Sequence, residues 1–373
     1  MSTLETEKAD RADASESDPD ISAAAPRKTV APSEFWAARS DQLIIDVRSP
    51  KEFTDGHIPG ANNIPLFSND ERAEIGTLYQ KKGHDAAVLR GLEIVGPKMA
   101  GFARTVAEKN RDQNFEEKNV AVHCWRGGMR SQSFAWLLET TGWTVTVLDG
   151  GYKAFRRHAH ETIEKTHRLM VLSGLTGAGK TVHLQRLREA GEQVIDLEGL
   201  ANHRGSAFGG VGQEDQPRTE QFENELFAEL DQCDPDRIIW VEDEGMRIGS
   251  VVVPHLFHQQ VRNAPAVFLD IPHDVRVDHL MDEYGDLDPA ELIESLHKIR
   301  KRFGPQHADA AIKSVQEGNV KHAIEMTLAY YDRTYLHCVE KMPRTTVVEL
   351  KANGIATKSA VAESIRLARD LPA

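Results

Sequence analysis

The run Val120-Ala121-Val122-His123-Cys124-Trp125-Arg126-Gly127-Gly128-Met129-Arg130-Ser131 sets a cysteine directly after a short apolar stretch and follows it with two glycines, two arginines and a serine. The apolar pattern Phe134, Ala135, Leu137, Leu138 comes next, so the segment reads as strand, tight loop and helix. That arrangement converges backbone N–H groups on one point at the positive end of a helix. A cysteine placed there is favoured as its thiolate, and Arg126 and Arg130 add to the positive field. The chemistry expected is a nucleophilic sulfur beside an anion cradle. Taken alone, Cys124 reads as a small core residue at a strand end. The arginines and glycines in the next six positions favour the reactive reading.

A second cradle follows. Gly174-Leu175-Thr176-Gly177-Ala178-Gly179-Lys180-Thr181 matches G-x-x-x-x-G-K-[ST] in full, after an apolar strand and before a helical stretch. Gly174, Gly177 and Gly179 let backbone N–H groups converge on a phosphate, Lys180 reaches its oxygens, and Thr181 is the residue that would hold Mg²⁺. Any diphosphate fills such a cradle, so the motif alone does not name a nucleotide. Asp243 and Asp270 both end strands where the acidic partner of a phosphate loop belongs, and the sequence does not choose between them. His203-Arg204-Gly205-Ser206 and Arg218 read as polar groups over the cradle, against the plainer reading of a surface loop. The strongest basic run holds Lys298, Arg300, Lys301 and Arg302, with Tyr330, Tyr331, Arg333 and Tyr335 further on. Basic and aromatic groups together suit an RNA backbone and its bases; a solvated helix face over a core aromatic stripe is the equal alternative.

The elements that must position these groups form two α/β units. In the first, strands are expected at 43–45, 63–64, 120–122 and 144–148, with helical pieces over 68–110 broken near Gly83 and Gly96-Pro97. A polar helical linker spans 152–167. The second unit has strands at 168–172, 193–197, 237–241, 266–269 and 346–350, and a helical stretch from Pro289 to Lys341. The apolar segment Ile248 to Val253 reads either as the wall of a pocket or as core. Strands alternating with helices indicate parallel sheets. The expected organisation is an acidic disordered tail over 1–28, a parallel-sheet domain over 29–151, the linker, and a phosphate-loop α/β domain with a helical C-terminal part over 168–373.

At 373 residues the chain exceeds one ordinary domain. Its charged content of 28% and hydrophobic content of 40% exclude both a disordered chain and a membrane-embedded one. Net charge is −13, but residues 1–20 hold seven acids against two bases, so much of the excess is local and whole-chain charge does not argue for a nucleic-acid partner. Cys124, Cys233 and Cys338 are scattered and odd in number, which excludes a disulfide framework and a zinc cluster. No apolar run approaches a membrane span and the N-terminus lacks a signal-peptide core, so a cytoplasmic, reducing location is expected.

His123-Cys124-x5-Arg130-Ser131 admits two chemistries. A cysteine-dependent phosphatase would use the thiolate on phosphorus and the arginine on its oxygens. A sulfur or selenium carrier would load the sulfur and pass the chalcogen to an acceptor. A phosphate-binding domain fused behind the loop suits the carrier. A third reading, from another class, is an ATP-dependent kinase with an idle appendage.

The residues also carry a resemblance. Leu43 to Phe53, Gly56-His57-Ile58-Pro59-Gly60-Ala61 and the Cys124 loop resemble a rhodanese domain. Fused to a phosphate-loop domain, and with Cys124-Trp125-Arg126-Gly127-Gly128-Met129-Arg130-Ser131 spelled this way, the chain resembles tRNA 2-selenouridine synthases. Pro65-Leu66-Phe67-Ser68-Asn69, His203 to Gly209, Phe222-Glu223-Asn224 and Val241-Glu242-Asp243-Glu244 are similar to the same family. The resemblance covers about residues 30 to 370. It implies a rhodanese domain followed by a P-loop domain. The implied substrate is tRNA carrying 2-thiouridine at the wobble position, first S-geranylated from geranyl diphosphate and then converted to 2-selenouridine with selenophosphate. It also implies Cys124 in the selenation step, the Gly174–Thr181 loop as cradle for the diphosphate or selenophosphate, no tightly bound cofactor, and the selenophosphate-producing enzyme as a partner.

Overall fold

The computed structural model describes residues 27–206, 208–339 and 346–371. Most of the tail expected to be disordered therefore lies outside the described residues, as do Ala207 and Lys341. Its last two positions belong to the first domain instead. Arg27 pairs with Glu139 at 2.8 Å, and Lys28 opens a strand in register with Thr146.

The first domain runs β1 (Lys28–Val30), α1 (Pro32–Ala37), β2 (Leu43–Asp46), α2 (Pro50–Asp55), β3 (Asn62–Asn63), α3 (Asn69–Lys82), α4 (His84–Val95), α5 (Met99–Asp112), β4 (Asn119–His123), α6 (Met129–Thr140) and β5 (Thr144–Leu148). Its sheet has the order β1-β5-β4-β2-β3 and is parallel throughout. The central strand β4 is buried from Val120 on, as expected for a sheet covered on both faces.

Helix α7 (Gly151–Ile163) leads to the second domain: β6 (Leu169–Gly174), α8 (Lys180–Glu189), β7 (Gln193–Ile195), α9 (Leu197–Leu200), α10 (Thr219–Asp231), β8 (Ile239–Glu242), β9 (Arg247–Ile248), β10 (Val251–Val252), α11 (His255–Asn263), β11 (Ala266–Asp270), α12 (His273–Tyr284), α13 (Pro289–Phe303), α14 (Pro305–Gln316), α15 (Val320–Val339), β12 (Val347–Lys351) and α16 (Lys358–Asp370). Its parallel sheet has the order β12-β11-β6-β8-β7, with β6 in the middle. Helices α12 to α15 pack into a separate apolar cluster beside it. The strand expected over 193–197 stops at Ile195, because Asp196 turns the chain into α9 by accepting the Gly199 N–H at 2.7 Å.

The linker expected to be polar is polar on one side only. Tyr152, Phe155, Ala159 and Ile163, spaced three and four apart, are fully buried and join α1 and α10 in one core that spans both domains. Polar contacts tie the same seam. Trp36 donates to Asp231 at 2.7 Å, His57 N–H to Gln221 at 2.8 Å, Asn224 to the His57 carbonyl at 2.7 Å, and Tyr152 OH to Glu220 at 2.9 Å. Beneath them Arg48 is fully buried, paired with Asp46 and 3.8 Å from the centre of the Tyr152 ring. Burial acts to raise the Asp46 carboxyl, but His123 and Arg48 outweigh it and hold it below its ordinary range. The Gly56–Ala61 and Phe222–Asn224 stretches are thus the parts of the chain that clamp one domain to the other.

Candidate functional site

Cys124 leaves the C-terminal end of β4 and is buried. Gly127 and Gly151 both have positive φ, and a Cβ on Gly151 would lie 2.4 Å from the Cys124 carbonyl and from the Gly127 nitrogen. Only glycine lets the start of α7 press against the loop this closely. Tyr152 and Lys153 N–H groups then donate to the Cys124 and Trp125 carbonyls at 2.8 and 3.0 Å. The Cys124 sulfur lies 3.3 Å from Ser131 Oγ, which is also 3.1 Å from the Gly128 carbonyl. One hydroxyl proton therefore has two acceptors, the sulfur when ionised and a backbone carbonyl.

Strand alternation decides the neighbours of the sulfur. Cys124 faces the core side with Val120 and Val122, whereas His123 faces the seam with Ala121 and Tyr152. Burial lowers His123 to about 4, so at neutral pH it is an uncharged ring on the far side of the strand and not a base for Cys124. Arg126 is exposed. Arg130 is answered by Glu52 at 3.0 Å, so its charge is partly spent, contrary to the field expected from sequence. Burial acts to raise Glu52, but Arg130 and the Ser49 N–H bond outweigh it and keep the carboxyl low. Glu52 was legible as the last residue of a Ser49-x-x-Glu52 capping box, which the structure forms.

The second cradle follows β6 and opens α8. Gly174, Gly177 and Gly179 all have φ in the positive range. A Cβ on Gly177 would lie 2.9 Å from Leu280, and one on Gly179 2.4 Å from Ile355, so neighbouring side chains close over the loop. Lys180 Nζ is 3.4 Å from the Gly174 carbonyl, and Thr181 Oγ1 donates to Glu198 at 3.0 Å. Asp243 accepts from Ser173 at 2.8 Å and from Tyr335 at 3.1 Å and borders the cavity over the loop. Asp270 ends β11 on the other side of β6 and does not border that cavity. Thr181, Glu198 and Asp243 offer hard oxygen donors, the kind Mg²⁺ takes together with ligand phosphates. Among the described residues no group of three or more His, Cys, Asp or Glu side chains is placed to hold a metal by itself. Glu244 also borders the cavity; burial and Glu198 raise its carboxyl against the pull of Lys180. Glu242 is raised by burial, Asp196 and Glu198. Carboxyls shifted toward their protonated form oppose an incoming anion less.

The cavity measures about 580 Å³ and is bordered by the loop, His203, Arg204 and one face of the α12–α15 cluster. Arg204 lies 5.4 Å from the centre of the Tyr284 ring. Arg218, expected over the cradle, instead precedes α10 and pairs with Asp55 of the first domain at 2.9 Å. The basic run and its aromatics do not share a face. Lys298 pairs with Glu294 and Arg300 with Asp309 on the outer side of α13, where Lys301 and Arg302 are also exposed. Tyr330 packs on Phe303, while Tyr331 and Tyr335 border the cavity. Ile248, Val251 and Val253 are core residues and border no part of it.

Residues 167–363 match the tRNA 2-selenouridine synthase AAA domain, and residues 31–158 match the rhodanese-like domain. A tRNA 2-selenouridine synthase of Shewanella loihica is 34% identical over 81% of this chain and 88% of its own length. The chain belongs to the tRNA 2-selenouridine synthase family. The protein of that name from Bdellovibrio bacteriovorus is 41% identical over 65% of this chain and 64% of its own length. Among solved structures, the N-terminal domain of a putative ATP/GTP binding protein from Clostridium difficile 630 is 34% identical over 35% of this chain and 98% of its own, with a TM-score of 0.32. Among the described residues, no helix is long and apolar enough to cross a membrane.

Proposed function

We propose that this member of the family converts wobble 2-thiouridine in tRNA to 2-selenouridine in two steps, divided between its two cradles. At the Gly174–Thr181 loop the diphosphate of geranyl diphosphate is held by backbone N–H groups and Lys180. The thiocarbonyl sulfur attacks the first carbon of the geranyl group, that carbon's bond to oxygen breaks, diphosphate leaves, and N3 of the base gives up its proton. At the Cys124 loop, selenophosphate supplies selenium. The selenium of selenophosphate bonds to C2, the geranyl sulfur takes up a proton, the C2–sulfur bond breaks, and the sulfur departs as neutral geranylthiol instead of a poorly leaving anion; water then attacks phosphorus, the selenium–phosphorus bond breaks, and phosphate leaves. Loop N–H groups and Arg126 steady the phosphate part. Mg²⁺, if bound at Thr181, would neutralise diphosphate charge.

The observation that carries this reading is the contrast between the two cradles. One cradle has a nucleophile on a closed loop, and the other has no nucleophile but opens on a cavity of about 580 Å³. Family membership over both domains favours it over a phosphatase, a sulfurtransferase or a kinase with an appendage. The test is mass spectrometry of nucleosides from 2-thiouridine tRNA treated with the protein, geranyl diphosphate and selenophosphate, each omitted in turn. Cys124→Ala is expected to accumulate geranylthiouridine and make no selenouridine. Lys180→Ala is expected to lose at least about a hundredfold in geranylation. Loss of both products in Cys124→Ala would overturn the division. Exposed Lys301 and Arg302 are the proposed tRNA backbone contacts; charge reversal there should weaken tRNA binding and its salt dependence together.

A further inference from the structure

The cavity over the phosphate loop is far larger than a diphosphate, and its two ends differ in chemistry. The loop end carries Lys180, Thr181, Glu198, Arg204 and Asp243. Away from the loop the lining is aliphatic: Leu292, Leu296, Val315, Ile324 and Leu328, contributed by α13, α14 and α15. The Thr327 hydroxyl beside them donates to the Ala323 carbonyl of its own helix, so its proton is not offered to a ligand. A nucleoside would need polar partners at this end; a saturated or alkenyl chain would not.

Helix α15 gives the direction. Tyr335 touches Ser173 and Asp243 beside the phosphate loop, and Tyr331, Leu328, Thr327, Ile324, Ala323 and Val320 follow at helical spacing along the cavity. From Tyr335 to Val320 the helix rises about 22 Å. A geranyl group, eight main-chain carbons long, extends about 10 Å at ordinary carbon–carbon geometry. Started beside Tyr335, it ends near the level of Leu328, with Ile324, Ala323 and Val320 beyond it.

We propose that the aliphatic channel beside α15 is the site for the hydrocarbon of a prenyl diphosphate, read by depth. Leu328 meets a ten-carbon chain, and Ile324 and Ala323 meet only a longer one. The proposal rests on the reading that the phosphate loop holds the diphosphate.

The test is calorimetric titration of the full chain with inorganic pyrophosphate, geranyl diphosphate and the fifteen-carbon farnesyl diphosphate. Wild type is expected to bind geranyl diphosphate at least about a hundredfold tighter than pyrophosphate, as burial of an apolar chain requires. Ile324→Trp, at a half-buried position, should weaken farnesyl diphosphate at least about tenfold, change geranyl diphosphate by less than about threefold and leave pyrophosphate unchanged. Ile324→Ala should favour farnesyl diphosphate instead. Leu328→Ala should weaken geranyl diphosphate, and its unchanged pyrophosphate binding would report an intact fold. Geranyl diphosphate binding no tighter than pyrophosphate, or variants that alter all three ligands alike, would overturn the channel and leave the phosphate-loop reading standing. No binding of any of the three to folded wild type would overturn both.

Discussion

Both cradles sit at the C-terminal end of a central parallel strand and open a helix, β4 into α6 and β6 into α8. At Cys124 the loop is closed by backbone: Gly151 presses on the Cys124 carbonyl, and α7 is hydrogen-bonded to the loop. At Gly174–Thr181 it is closed by side chains, Leu280 and Ile355, and a cavity remains above it. On the proposed function, the first takes a small anion beside a buried sulfur. The second leaves room for a ligand whose bulk lies outside the cradle. On the proposed function, similar strand–loop–helix geometry thus serves different chemistry, according to what packs on top.

The largest expected effect separates the two kinds of closure. Gly151→Ala puts a Cβ against three backbone atoms at a φ of +60°, and should cost about 3 kcal/mol or more of stability and abolish selenation. Gly179→Ala meets the movable side chain of Ile355 at a φ of +69°, so about 1–2 kcal/mol is expected, with geranylation reduced but measurable. Denaturant melts and product assays on both variants check this, and equal losses would erase the distinction.

The next effect is shared by the two domains. Burial lowers both His123 and His183 to about 4 from 6.5. The unfolded chain takes up these protons as pH falls below 6.5 and the folded chain does not. Their contribution is therefore complete above 6.5 and is lost progressively toward 4, about 3 kcal/mol for each. Melting temperature against pH should fall over that window. His123→Asn and His183→Asn should each flatten the curve, and a curve unchanged by either would disprove the neutral buried rings.

The smallest effect concerns the charge over the sulfur. Glu52→Gln leaves Arg130 unanswered, so Cys124 should react about two- to fivefold faster with a neutral alkylating reagent at neutral pH. No comparable change is expected from Asp55→Asn, whose partner Arg218 lies at the seam. A rate unaffected by Glu52→Gln would mean that the loop N–H groups set the field alone.

Sequence by itself determined both cradles, because their requirements are local. A strand, glycines that take positive φ, a helix start and one reactive or cationic side chain are all written within a dozen residues. It also determined the parallel α/β class and the helical breaks at Gly83 and Gly96-Pro97, through periodicity and turn chemistry. Only the tertiary structure brought Asp243, and not Asp270, to the cavity, since both follow strands beside β6 and the difference lies in Ser173 and Tyr335. It likewise sent Arg218 to Asp55, turned Tyr331 and Tyr335 toward the cavity, buried Ile248, Val251 and Val253 in the core, and made one face of α7 part of the core that both domains share. The short hairpin β9–β10 and helices α11 and α12 escaped the sequence reading, because their apolar positions are few and depend on distant partners. A repeat along the chain fixes which side of an element is apolar. Which other element covers that side depends on how helices far apart in sequence are rotated and packed.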